Sequence, residues 1–149
     1  MAMVDLCKSK WKEWCDATFV KVSLEDMFNH KMVLALNGNS YSGIFMGALA
    51  SKSVPLKQEG IPQSWFEPFL EAWVDYIPIS YDLHDLPFVV QWVREHDEQA
   101  RRIAMSSHER MKALLHPDNV RCHTLAAFAV LLEQNIHSLH DSNGTKGFE

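Results

Sequence analysis

The apolar residues of this 149-residue chain fall first into short runs and later into helix-like spacing. Three apolar runs bounded by polar turns predict buried strands, over Lys31–Leu36, Ser53–Lys57 and Val74–Ile79. Between the first two runs, the apolar residues from Phe45 to Ala50 are spaced as on a helix. Alternating strands and helices are typical of an α/β fold, so we predict a small parallel, Rossmann-like sheet with C-terminal helices.

The second half of the chain is predicted to be helical. Every third or fourth residue from Leu86 to Val93 is apolar, which predicts an amphipathic helix with Asp85 as its cap. A polar break over residues 95–98 separates it from a second helix, which ends before Pro117. Residues 125–132 of the last helix are apolar on all sides, so we expect several of its faces to be covered. The chain is then a single domain over residues 1–140 with a disordered tail over 141–149.

Two further expectations concern the aromatic residues and the segment between the second and third strands. Ser64 and Glu67 have the spacing of a capping box, which predicts that a helix begins near Ser64. Phe45 and Trp73 are expected in the core rather than as stacking platforms for a nucleotide base.

The turn after the first strand is the strongest candidate for ligand chemistry. It reads Asn-Gly-Asn-Ser from residue 37, and Ser42 and Gly43 precede the next helix. A turn between a strand's carboxyl end and a helix's amino end presents unpaired N–H groups, which together with the helix dipole favour an anion such as phosphate. An ordinary connecting loop without a ligand is the alternative, and this segment alone leaves both open.

Composition excludes several classes of protein. A chain with 47% hydrophobic and 22% charged residues can bury a normal core, so disorder is not expected. A net charge of −5 without a basic run argues against nucleic-acid binding.

We expect no membrane segment, because no run of about 18 apolar residues occurs. The first residues, MAMVDLCKSKWKEWCDATF, carry charges where a signal peptide needs an apolar centre. Three cysteines and eight histidines follow no metal-ligand spacing, so neither a metal nor a disulfide framework is expected.

The order of several short motifs resembles a known family. The chain reads NGNSYSG-x-F, SxSVPLKQ, WFEPFLEAWVDYIPI and YDLHDL, followed by HDEQARRIA and then LLE at residues 131–133. This order resembles the C-terminal lobe of glycosyltransferase family 90, the capsule-associated and Rumi-like transferases, and especially its fungal members. The resemblance extends from near Ala17 to about Ile136.

The resemblance implies a GT-B architecture, with two Rossmann-like lobes and a donor site between them. It implies transfer of xylose or glucose from a UDP-sugar to a hydroxyl of a protein or glycan acceptor, in the secretory pathway and without a metal cofactor. The residues implied in donor binding are Gly38, Asn39, Ser40, Ser42, Gly43, Lys57 and Glu71. For each of them a plainer role stays open, as a helix cap, a strand end in solvent or a solvated carboxylate.

The chain departs from the family's pattern at positions that matter for binding. The family's phosphate-binding Arg is Ile44 here, and its Asp in the glycine turn is Asn37. Ile44 either faces the donor without a charge or has turned into the core with Phe45. Asp75 replaces a family His and is expected to repel a diphosphate. The acceptor lobe, which carries the family's proposed catalytic base, has no counterpart in this sequence.

We therefore expect no catalytic residue in the isolated chain, weak or absent UDP binding, and poor solubility or self-association. A catalytically inactive pseudoenzyme, or a protein-interaction module with the same fold, is the alternative. An unrelated small nucleotide-binding α/β domain is a third.

Overall fold

A computed structural model describes residues 23–38, 42–60 and 64–143, with side chains through Asn135. The described elements are α1 (Leu24–Phe28), β1 (Met32–Ala35), α2 (Gly43–Ala50), β2 (Val54–Gln58), a 3-10 turn (Glu67–Phe69), β3 (Ile77–Ile79), α3 (Leu86–Glu95), α4 (Asp97–Leu114) and α5 (Pro117–Asn143).

The three strands form the parallel sheet that the sequence predicts, in the order β1-β2-β3. Met32 is paired with Val54, and Leu56 with Ile77, so neighbouring strands end at the same edge. The first two strands lie within a residue or so of their predicted bounds. The third begins at Ile77 rather than Val74, because residues 73–75 form a turn in which Trp73 has φ 65°.

The sheet separates two apolar clusters. The larger one packs β2 and β3 against α3 and the first half of α4, through buried residues that include Leu56, Ile77, Ile79, Val89, Val93 and Ile103. The smaller one joins the end of β1 to α2 and the second half of α4, through Ala35, Phe45, Leu49, Phe66 and Met111. Apolar side chains on both faces are what a parallel sheet with helical crossovers requires. The predicted helix breaks are confirmed at His96 and before Pro117.

The predicted helix at Ser64 is wrong. The chain makes one 3-10 turn, Glu67–Phe69, and Leu70 is already extended at φ −103° and ψ 144°. Half of the capping box does form, since the Ser64 N–H donates to Glu67 Oε1 over 3.0 Å. Pro68 has no N–H to donate, and Phe66 is buried in the smaller cluster. Packing of the aromatic side chain therefore overrides the local helix signal.

Asp85 occupies the N-cap position of α3 but its side chain makes no cap bond there. Its carboxylate instead accepts from the Ser80 N–H, with Oδ1 at 3.0 Å, and so closes the turn between β3 and α3.

The expectation that the last helix is covered is also wrong. Leu125 is 70% exposed, Phe128 60% and Leu132 62%. The helix contacts the body near its start, where the His123 ring stacks on Trp65 with centroids 4.5 Å apart. It also runs to Asn143, past the predicted domain end at residue 140. Of the tail predicted over 141–149, residues 144–149 lie outside the described residues. No helix in the described part of the chain is long and apolar enough to cross a membrane.

Candidate functional site

The carboxyl ends of the three parallel strands meet at one edge of the sheet, which we call the carboxyl edge. In open α/β sheets this is where ligands bind. Side chains tie the loops there together. The Asn37 N–H donates to Gln58 Oε1 over 2.9 Å, and Asn37 Nδ2 donates to the Glu59 carbonyl over 2.8 Å. Gln58 Nε2 donates to the Tyr81 carbonyl over 2.6 Å. Hydrogen bonds therefore link the chain just past β1, at Asn37, to the end of β2 and to Tyr81 just past β3.

The start of α2 is open toward this edge. A Cβ added at Gly38 or at Gly43 would meet no other group within 4 Å. Ser42 is the N-cap residue, at φ −86° and ψ 104°, and its hydroxyl makes no cap bond. The first N–H groups of α2 are thus not satisfied by this side chain, and none of the described residues occupies the place of a Cβ at Gly43. Asn39 and Ser40, which the sequence places in the same turn, lie outside the described residues.

Lys57 ends up at the carboxyl edge as predicted but is not free. Its Nζ lies 3.2 Å from Glu67 Oε2, and the two side chains are only 16% and 15% exposed. The ammonium also lies 5.5 Å from the centre of the Phe45 ring. The Glu67 carboxylate therefore already neutralises the lysine charge that was expected to bind the donor.

Tyr76 borders this ion pair and packs edge-on against Phe45, with ring centroids 5.6 Å apart. Burial raises the pKa of its hydroxyl, and the negative charge of Glu67 raises it further. The phenol therefore stays protonated at neutral pH and adds no charge to the edge.

Sequence reasoning missed a polar cluster that follows β3. His84 Nδ1 lies 2.6 Å from Asp82 Oδ1 and 3.0 Å from Ser80 Oγ. The hydrogen bond with Asp82 raises the pKa of His84, and the same bond lowers the pKa of Asp82. A Ser-His-Asp relay needs both ring nitrogens, one for each partner, whereas here Nδ1 faces both. The contacts therefore orient the His84 imidazole but do not form a nucleophilic triad. The sequence motif that could have revealed this cluster is YDLHDL, which lies just past the carboxyl end of a predicted strand.

One residue expected at the donor site, Asp75, lies elsewhere. Asp75 is fully buried before β3, at the opposite end of that strand from the carboxyl edge. It accepts from the Glu71 N–H over 3.0 Å and from Ser106 Oγ over 2.7 Å, and Arg110 Nε lies 3.3 Å away. The expectation that Asp75 repels a diphosphate is wrong, because its charge is enclosed and paired. Glu71 is exposed in the same turn, and its role in donor binding stays a prediction.

The remaining predictions, on which aromatic and apolar side chains lie in the core, have different outcomes. Phe45 is 1% exposed, so its assignment to the core is confirmed. Trp73 is 45% exposed, so the same assignment is wrong for it. Ile44 is partly buried and packs against the smaller apolar cluster. Among the described residues, no group of three or more His, Cys, Asp or Glu could hold a metal ion.

Comparison with protein families gives one match over nearly the whole chain. The model of glycosyl transferase family 90 matches residues 1–143. The chain is 34% identical over 102 residues to protein O-glucosyltransferase 2 of Danio rerio, which is 68% of this chain and 20% of that protein. It is 31% identical over 98 residues to human protein O-glucosyltransferase 3, covering 66% of this chain and 19% of the relative. It is 29% identical over 75 residues to human protein O-glucosyltransferase 1, covering 48% and 19%. The chain thus spans about a fifth of the length of these relatives.

Proposed function

The chain belongs to glycosyltransferase family 90, and we propose that it is the donor-nucleotide lobe of a GT-B glycosyltransferase, binding a UDP-sugar at the carboxyl edge. The relatives' names describe transfer of glucose to protein. They support glucose as the sugar and a protein hydroxyl as the acceptor, with xylose as the other sugar to test.

The observation that carries the proposal is the open start of α2. Gly38 and Gly43 both leave space where a side chain would stand, at the point where β1 gives way to a helix N-terminus. A diphosphate needs close approach to backbone N–H groups, and glycines permit it. In this proposal the Ser42 hydroxyl, which makes no cap bond, donates to a phosphate oxygen.

We propose that this binding is weak. A helix N-terminus contributes roughly 0.3–1 kcal/mol to anion binding when exposed, and up to about 2 kcal/mol when partly buried. A guanidinium–phosphate pair adds on the order of 1.5–3 kcal/mol, and Ile44 supplies none of it. Lys57 contributes only when its pair with Glu67 opens. We propose this mode of binding without a metal, with the backbone N–H groups at the start of α2 carrying the contact with the phosphates.

Sugar transfer requires an acceptor hydroxyl and a base to take its proton. We assign neither to this chain, so the proposal is donor binding, with the acceptor site and base contributed by other parts of a complete transferase. The isolated chain then binds UDP and transfers no sugar.

Substitutions at Gly43 test the proposal. A side chain fits there without a clash. Aspartate in the first turn favours a helix by roughly 0.3–1 kcal/mol, yet its charge repels phosphate. In calorimetric titration with UDP, Gly43→Asp should lose binding while its melting temperature holds or rises. Gly43→Ala, the uncharged control, should bind within about threefold of the parent chain. Equal UDP affinity for both variants would reject the carboxyl edge as the nucleotide site.

A protein-interaction module is the second candidate. The uncovered apolar surface of α5 favours it, since Leu125, Phe128 and Leu132 are all more than half exposed. Contiguous apolar surface of this kind marks a contact with another protein surface. The two candidates are separable, because the carboxyl edge and α5 share none of these residues.

A further inference from the structure

The turn that leads into β3 holds a tryptophan in a strained backbone conformation. Trp73 has φ 65°, a region that residues with a Cβ adopt rarely. The turn is nevertheless fixed. The Trp73 N–H donates to the Tyr76 carbonyl over 2.7 Å, and Ala72 pairs with Tyr76 in a parallel bridge. The buried Asp75 carboxylate anchors the turn to α4 through Ser106 and Arg110. Strain that the surroundings enforce in this way is found mainly at functional sites.

The strain does not serve burial of the tryptophan. The Trp73 side chain is 45% exposed and its neighbour Val74 39%. A turn that is anchored by a fully buried carboxylate therefore presents two apolar side chains to solvent. An exposed indole on a rigid support is well suited to bind a ligand or another protein.

A second tryptophan forms the facing wall. The rings of Trp73 and Trp92 meet edge to face, with centroids 5.3 Å apart at an angle of 82°. Trp92 is held in turn by His96, whose ring stacks on it at 4.8 Å and 11°. His96 Nδ1 lies 2.9 Å from the Trp92 carbonyl, which fixes the histidine. The two indoles thus form a preset right-angled corner.

Polar side chains surround this corner. A cleft of about 440 Å³ lies between the tryptophans and α4, lined also by Gln99, Arg102, Ile103 and Ser106. Its volume is in the range of small-ligand sites. The amide of Gln99 and the guanidinium of Arg102 are planar groups with several hydrogen-bond donors, and both are exposed. Arg102 has Glu98 as its neighbour at 3.8 Å, a distance that leaves its other donors free to reach the cleft.

We propose that the cleft between the two touching tryptophans and α4 is a saccharide-binding subsite that takes one sugar ring of a glycan. A pyranose has flat faces of C–H groups, which pack on an indole, and a rim of hydroxyls, which bond to planar amides and guanidinium groups. The two indoles supply the flat apolar surface, and Gln99 and Arg102 on α4 supply the hydrogen-bond donors. The subsite precedes β3, whereas the carboxyl edge follows it, so a glycan here does not occupy the nucleotide site. The inference does not depend on UDP binding.

The experiment titrates the full chain with maltose and, separately, with methyl β-xyloside. The signals to follow are the indole N–H resonances of Trp73 and Trp92 in two-dimensional NMR. We expect both resonances to shift with a dissociation constant on the order of 1–10 mM for at least one of the sugars, as for a single ring held without a charge. Glycerol, which has hydroxyls but no ring, should leave them in place.

Variants separate recognition from folding. Trp73→Asn suits a positive φ, so its melting temperature should not fall, while saccharide binding should weaken at least about tenfold. Trp73→Tyr keeps an aromatic face and should bind within about threefold of the parent. Phe128→Ala removes an exposed aromatic residue on α5, outside the cleft, and should leave the saccharide affinity unchanged.

Several results would overturn the proposal. One is that neither indole resonance moves with either sugar up to about 100 mM. Another is that Trp73→Asn binds as well as the parent chain. A change of oligomeric state in Trp73→Asn without a saccharide effect would assign the cleft to a protein contact instead. UDP titration of the same samples is independent, since Gly43→Asp should lose UDP and keep saccharide binding.

Discussion

Lys57 and Glu67 form a largely buried ion pair, with Nζ 3.2 Å from Oε2, at the edge of the sheet where a nucleotide would bind. The lysine comes from the end of β2, and the glutamate from the 3-10 turn that replaces the predicted helix. The carboxylate also accepts the Ser64 N–H, so it is held in place. The pair thus withholds a cation from the carboxyl edge, and for this reason we expect anions to bind weakly there.

Releasing Lys57 should strengthen UDP binding. In Glu67→Gln the amide oxygen can still accept from Ser64, but the negative charge is gone. We expect UDP affinity to rise about tenfold in calorimetric titration, equivalent to about 1.4 kcal/mol for a charge-assisted bond. The gain should shrink as salt is raised. Stability should fall by about 1–3 kcal/mol, because a largely buried lysine loses its charged partner.

Glu59→Gln is the matched control for this change. Glu59 is exposed at the same edge, and its substitution removes the same unit of charge without freeing Lys57. An equal gain in both variants would mean that net charge, rather than the opened ion pair, is responsible.

An arginine at position 44 should restore a phosphate contact. Ile44 is partly buried beside the smaller apolar cluster, so a long side chain can lie along that surface with its charged end in water. For Ile44→Arg we expect about ten- to a hundredfold tighter UDP binding and a loss of roughly 1 kcal/mol of packing. Ile44→Gln loses the same packing without a charge. If calorimetry gives arginine and glutamine the same affinity, Ile44 does not face the phosphates.

The Asp82–His84 contact predicts a dependence of stability on pH. The pKa of His84 is raised from its ordinary 6.5, so its contribution is complete below 6.5 and is lost as pH rises through the raised value. The pKa of Asp82 is lowered from 3.8, so its contribution is complete above 3.8 and is lost as pH falls through the lowered value. The pair therefore stabilises most between about pH 3.8 and 6.5.

The variant Asp82→Asn tests this dependence. It should lower the pKa of His84, read from ring proton shifts in an NMR titration. The difference in melting temperature between parent and variant should be largest inside the window named above. Asp118→Asn, which disrupts an exposed contact with His116 at 3.7 Å, should leave the His84 titration unchanged. A His84 pKa that is the same in Asp82→Asn and in the parent would show that the contact does not form in solution.

The exposed surface of α5 should make the isolated chain self-associate. Leu125 and Phe128 are each at least 60% exposed on this helix. Replacing both with Gln should move the chain toward monomer in sedimentation velocity while the melting temperature stays within about 2 °C, because neither side chain is packed. Glu133→Gln, on the same helix, should have no such effect. A parent chain that is monomeric at high concentration would contradict this expectation.

Hydrophobic pattern alone predicted much of the fold. Runs such as Met32–Ala35 and the spacing from Leu86 to Val93 have strong periods, and the structure follows them. What failed was decided by contacts distant in sequence. Trp73 lies in an apolar run, but the Asp75 carboxylate contacts Ser106 and Arg110 on α4. These contacts hold residues 73–75 in a turn, so β3 begins only after it.

The position of the carboxyl edge was predictable from the sequence, but the pairing of its charged side chains was not. The glycine turn and the end of β2 mark the carboxyl edge in the sequence itself. The pairing of Lys57 could not be predicted, because Glu67 is ten residues away and lies in a 3-10 turn that the sequence pattern does not indicate. The His84 cluster was within reach, since Ser80, Asp82 and Asp85 are its near neighbours in the chain.

The central claim is that UDP binds at the start of α2, and a two-dimensional amide NMR titration with UDP tests it most directly. The account predicts that the largest saturable shifts fall on the amides of Gly38, Ser42 and Gly43. The amides that begin α3, at Leu86, and those of the Trp73 turn should stay in place. The same titration on Gly43→Asp should show no saturable shifts. Shifts centred away from Gly38–Gly43, or equal shifts in the aspartate variant, would contradict the account.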